Sequence, residues 1–132
     1  MPHLQIEYSG NLDDRVDIAG LCEHLRRAAS EIEAFPNPGI RVRAVRVAHY
    51  AIADGNPEHG FIDLSIRLRA GRSAAVKQDA TARLFSAMKD YVAPAMASHS
   101  IAISAEMRDI DPALSPKYSN TRDHLGRVDD RA

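Results

Sequence analysis

The chain has 132 residues, a formal net charge of −1, 45% hydrophobic and 27% charged residues, and 5% aromatics with no Trp. That is the composition of one globular domain with a modest core, and it excludes both a long-range pull toward nucleic acid or an anionic membrane and a base-stacking platform. No apolar run reaches membrane-spanning length and the N-terminus lacks the charged and apolar regions of a signal peptide, so a cytoplasmic location is expected.

In chain order, Met1-Pro2 comes first, directly before a strand in which Leu4, Ile6 and Tyr8 alternate with polar neighbours. Removal of Met1 exposes the Pro2 nitrogen as a secondary amine, which no internal proline can offer. An ordinary α-amino group titrates near pH ~8, and burial beside cations lowers that value. This makes Pro2 a candidate general base. The competing reading is that Pro2 merely helps initiator Met removal.

Ser9-Gly10-Asn11 punctuates the strand, and Asp17 is placed to cap a helix. Its Ile18, Leu21, Cys22, Leu25, Ala28, Ala29 and Ile32 recur at helical spacing. Cys22 is the sole cysteine, which excludes an internal disulfide, and its helix-face position reads as a small core residue. Phe35-Pro36-Asn37-Pro38-Gly39 stops the helix. Ile40, Val42, Val45 and Val47 form the next strand, and the apolar phase slip between Val42 and Val45 predicts a bulge. Arg41 and Arg43 share one face and Arg46 takes the other.

After the Asp54-Gly55-Asn56-Pro57 turn, Ile62, Leu64, Ile66 and Leu68 alternate with Asp63, Ser65, Arg67 and Arg69, the clearest strand pattern in the chain. Gly71-Arg72-Ser73 turns into a second helix, with Ser73 as N-cap and Val76, Ala80, Leu84, Ala87, Met88 and Tyr91 as its apolar stripe. Pro94 should kink or end it. Ile101, Ile103, Ala105 and Met107 alternate in a last strand. The six histidines, His3, His24, His49, His59, His99 and His124, show no close ligand spacing, so no metal is expected.

Strand, helix, strand thus occurs twice, over about 2–50 and 60–110. Right-handed crossovers make each unit's strands parallel and put both helices on one face of the sheet. The fold class is α+β, a duplicated βαβ forming a four-stranded mixed sheet with two helices on one face, within a single domain spanning 1–125. The opposite face, with Gln5, Glu7, Asp63, Ser65, Ser104, Glu106 and arginines, is too polar for a dry core, and closed homo-oligomerisation is one way to cover it. Residues 111–125 read as an extended arm and 126–132 as a mobile tail.

Met1-Pro2-His3 before a strand, Gly39-Ile40-Arg41, Ala53-Asp54-Gly55 and Ala70-Gly71-Arg72-Ser73, in this order and spacing, resemble the 5-carboxymethyl-2-hydroxymuconate Δ-isomerase family of the tautomerase superfamily. The likeness continues weakly through Leu114 to Asn120. It implies a tautomerase fold, a homotrimer and cofactor-free enol-to-keto isomerisation of a small polycarboxylate in homoprotocatechuate breakdown. It also implies Pro2 as catalytic residue, with Arg41 and Arg72 binding substrate and the second unit, which starts inside the chain, unable to supply an amine.

Arg72 has a separate argument, because it precedes a helix N-terminus whose free N–H groups favour anions. Arg43 shares the face of Arg41 and could serve as well, while Arg43, Arg46, Arg67 and Arg69 otherwise read as solvated or subunit-bridging. Tyr50 is placed near the presumed pocket as a packing residue, and Lys117 and Asn120 read as surface. Two further readings stay open: a tautomerase acting on another 2-hydroxydienoate or a phenylpyruvate-like enol, and a non-catalytic small-molecule-binding module.

Overall fold

The computed structural model describes residues 1–126. Strands β1 (His3–Ser9), β2 (Arg41–Val47), β3 (Gly60–Arg69) and β4 (Ile101–Ile110) form one sheet in the order β2-β1-β3-β4. β1 runs parallel to β2, β3 parallel to β4, and β1 antiparallel to β3, so two βαβ units meet through their first strands. Helices α1 (Ile18–Ser30) and α2 (Ala74–Met96) are the crossovers. The expected mixed sheet with two helices is what the chain forms. The expected mobility of 126–132 concerns, from residue 127 onward, positions outside the described residues.

Both helix starts follow from local chemistry. The Asp17 carboxylate accepts from Gly20 N at 3.1 Å and the Ser73 hydroxyl from Val76 N at 3.2 Å, each satisfying an N–H that has no intrahelical partner. Alternation then sorts the strands. Leu4, Ile6, Ile62, Leu64, Ile66 and Leu68 are wholly buried and meet Leu21, Leu25 and Ala29 of α1 and Ala80, Leu84, Met88 and Val92 of α2. Each large aliphatic side chain buried this way contributes about 1.5–3 kcal/mol before entropy is counted. Val76, expected in the α2 stripe, is instead 40% exposed, because it lies in the helix's first turn beyond the sheet.

One expectation is corrected. β2 has no bulge: its register against β1 is unbroken from His3↔Arg41 to Ser9↔Val47. Ala44 pairs with Ile6 on the helix side, which sends Val45 to the open side beside Glu7, 44% exposed. The apparent phase slip therefore records an apolar residue on the outer face and a small one inside. Pro94, expected to kink or end the helix, stands two residues before its last residue, Met96. It falls in the last turn, where Ala97 N already bonds to Ala93 O and Pro94 O, so only the hydrogen bond from its own missing N–H is lost.

The open face is banded. Because paired residues share a face, register gives one row of Arg41, His3, Arg67 and Arg108, a second of Arg43, Gln5, Ser65 and Glu106, and a third of Val45, Glu7, Asp63 and Ser104. Charge passes from positive to negative along the strands. The positive row lies at the end where β1 begins. At the opposite end, buried Ser9 donates to Asn11 Oδ1 at 2.8 Å and accepts from Phe61 N at 2.9 Å, while Asn11 Nδ2 reaches His59 O at 2.7 Å.

Candidate active site

Pro2 is buried immediately before β1, and its carbonyl accepts from Arg41 N at 3.1 Å, so the starts of β1 and β2 are tied together. The 3₁₀ turn Asn37–Gly39 brings Gly39 against the Pro2 ring. This short chain end is held by a parallel strand pair and a proline-bearing turn, which fixes the position of Pro2.

A cavity of about 400 Å³ opens beside this terminus, lined by Met1, His3, Arg41, Arg67, Arg69, Lys117 and Tyr118 among others. No carboxylate lines it among the described residues. Elsewhere cations find acids: Arg46 meets Asp13 at 2.7 Å, Arg15 meets Glu58 at 3.0 Å and Lys77 meets Asp109 at 3.2 Å. Among the described residues, none of Arg41, Arg67, Arg69 or Lys117 has such an ion pair. Gathering like charges without counter-charge costs repulsion, which an anionic ligand relieves.

The field is felt by the terminal amine. Burial pushes the pKa of the Met1 amine, the terminus that precedes Pro2, below the ordinary value, and Lys117, Arg72, Arg69 and Arg41, in that order, lower it further. His3 is likewise lowered, first by burial and then by Arg67, Arg43 and Arg41.

Of the residues singled out in the sequence, Pro2 and Arg41 come together here. Arg41 lines the cavity and also donates to Gly39 O at 3.0 Å. Arg43 does not line it, and its guanidinium donates to His3 Nδ1 at 3.2 Å. Arg72 lines a separate cavity of about 590 Å³ with Ala34, Val76 and Arg83, and donates to Ala34 O at 2.8 Å and Arg69 O at 3.1 Å. It therefore braces the end of β3, where Arg69 stands. Tyr50 belongs to the far end, packed edge-on against Phe61 with centroids 6.4 Å apart, which corrects its placement near the pocket. It follows the last residue of β2, whereas the terminus pairs with the first.

Arg67, Arg69 and Lys117 were not among the site residues expected from the sequence. The signal for the two arginines was register: strand parity puts them on the face of Arg41, and antiparallel pairing sets Arg67 opposite His3. Lys117 carried no such signal, because the arm has no period.

Comparison with known proteins shows the family. A family model described as 5-carboxymethyl-2-hydroxymuconate isomerase matches residues 2–125. The chain belongs to that family. A 5-carboxymethyl-2-hydroxymuconate Δ-isomerase from Escherichia coli is 32% identical over 120 residues, covering 91% of this chain and 95% of the relative. A solved 5-carboxymethyl-2-hydroxymuconate Δ-isomerase superposes with a TM-score of 0.88 at 31% identity, covering 94% of this chain and 92% of that one. A fused 4-OT, solved as a symmetric trimer, shares the fold with a TM-score of 0.63 at 15% identity, covering 88% and 93% of the two chains. The chain is thus an isomerase of the 5-carboxymethyl-2-hydroxymuconate isomerase family, built on the fold of the tautomerase superfamily.

Proposed function

We propose that the chain, with Met1 removed, converts 5-carboxymethyl-2-hydroxymuconate to its keto isomer by proton transfer through Pro2, in the cytoplasmic breakdown of homoprotocatechuate. The observation that carries this reading is the burial of Pro2 beside a cavity whose charged lining is wholly cationic.

Neutral Pro2 takes the proton of the substrate's 2-hydroxyl through its nitrogen lone pair. The resulting dienolate carries its charge on the 2-oxygen and spreads it along the conjugated chain to the distal carbon. Protonated Pro2 then delivers the same proton to a distal carbon, so the amine is regenerated and no cofactor enters the balance. Arg41 holds a substrate carboxylate in the cavity. Arg72, whose guanidinium keeps N–H donors beyond those given to Ala34 O and Arg69 O, acts from the adjoining turn as the second cation. Stabilising developing negative charge in a partly dry site is the larger contribution, and removal of one such donor costs about a hundredfold or more.

The banded open face favours assembly into a homotrimer, as in the fused 4-OT of the same fold. Val45, Leu114 and Tyr118, which are 44%, 79% and 100% exposed in the single chain, are apolar surface for neighbouring copies to cover.

The test is ketonisation kinetics on 5-carboxymethyl-2-hydroxymuconate for wild type, Pro2→Ala and Arg72→Ala, with Met1 removal verified by mass spectrometry. Pro2→Ala should lose most of kcat, and Arg72→Ala should lose in both kcat and KM. Equal turnover in all three defeats the mechanism.

A further inference from the structure

Lys117 stands apart from the other cations of the site. Arg41, Arg67 and Arg69 project from the sheet and line one cavity beside the terminus. Lys117 comes from the segment after β4, and with Met1 and Tyr118 it lines both that cavity and a second one, of about 410 Å³, formed against Pro36, Pro38 and Gly39 with Arg122 as its other cation; Lys117 is the cation common to the two. It therefore sits on the wall between two compartments that meet at the N-terminus. No carboxylate among the described residues pairs with it, although Asp111 and Asp123 lie on the same segment. The Asp111 carboxylate is engaged by Ala113 N at 2.9 Å, capping a short 3₁₀ turn.

Two cavities that share Met1, Lys117 and Tyr118, and so adjoin where Pro2 becomes the terminus once Met1 is removed, suit a branched substrate better than a linear one. A linear dienol diacid places its carboxylates at the two ends of one conjugated chain, which a single cavity can hold. A carboxymethyl branch leaves that plane through a saturated carbon and carries its charge sideways. Building on the function proposed above, we propose that Lys117 is the specificity-determining residue for the branch: it grips the carboxymethyl carboxylate in the second cavity while Arg41 holds a carboxylate of the conjugated chain in the first. A lysine fits this task, since its ammonium is a compact charge on a flexible stem and has no need of planar two-point geometry. A charge-assisted hydrogen bond of this kind is worth about a tenfold to hundredfold difference in binding.

The experiment compares two probes, 5-carboxymethyl-2-hydroxymuconate and unbranched 2-hydroxymuconate, with wild type, Lys117→Met and Lys117→Arg, all with Met1 removed. Thermal melting and gel filtration check that each variant folds and assembles as wild type does. The ratio of kcat/KM for the branched over the unbranched acid should fall at least tenfold in Lys117→Met, chiefly through KM, and be largely restored in Lys117→Arg. An unchanged ratio in Lys117→Met overturns the assignment while leaving Pro2 chemistry intact. Wild-type turnover of the unbranched acid without the branched one also overturns it. Turnover of neither acid by wild type defeats the proposed function itself.

Discussion

Gly39 backs Pro2 so closely that a β-carbon at position 39 would lie 3.1 Å from the proline Cδ. The backbone of Gly39 is not in the left-handed region, so space and not conformation is what the glycine provides. Gly39→Ala should leave stability nearly unchanged and push the pyrrolidine by a few tenths of an ångström. Since misplacement by about 1 Å costs on the order of a hundredfold, kcat should fall by roughly tenfold, read from saturating ketonisation rates. Wild-type kcat in that variant would show that the ring tolerates displacement.

The cations around the terminus predict the acidic limb of the pH profile. In the proposed mechanism the base works in its neutral form, so kcat/KM climbs as pH rises through the pKa of the Pro2 amine; burial with Lys117, Arg72, Arg69 and Arg41 lowers the Met1 amine next to it, and the same surroundings should lower the Pro2 amine once Met1 is removed. The plateau should therefore be reached at lower pH than a solvent-exposed terminal amine permits. Deleting a positive neighbour, as in Lys117→Met, should move the limb upward. A limb that stays fixed would mean that the titrating group is not the terminus.

At the other end of the sheet, Ser9 is wholly buried between Asn11 and Phe61 N. Ser9→Ala strands both partners, and a buried group left without its hydrogen bond costs about 1–3 kcal/mol. The denaturation midpoint should drop at constant slope. kcat should hold, because this network lies at the opposite end of β1 from Pro2.

Hydrophobic period alone carried the elements: Leu4, Ile6 and Ile62 to Leu68 declare their faces, and the Asp17 and Ser73 caps mark both helix starts. It failed where one residue's side depends on its neighbour strand. Val45 looks like core until the β1–β2 register puts it outside with Glu7. Among the residues proposed for the site, Pro2 was legible from its place after Met1 and before a strand, and Arg41 from the resemblance at Gly39-Ile40-Arg41. Arg67 and Arg69 needed the antiparallel pairing of β1 with β3, which no local pattern states. Lys117 needed the course of an aperiodic arm. Arg72 was found for its place before a helix, yet its bonds to two backbone carbonyls show a bracing duty that spacing alone does not reveal.

The gradation along the open sheet makes a nearly neutral protein behave as an electrical compass. Polyanions approaching from solution should be drawn toward the rim that carries Arg41, Arg67 and Arg69, and turned away from Glu7 and Asp63 where assembly leaves them exposed. Ionic strength is the handle on this guidance: raising salt from about 10 mM to about 150 mM shortens the screening distance from roughly 30 Å to 8 Å. Capture, seen in kcat/KM, should slow across that range, while conversion of substrate already seated should proceed at an unaltered pace.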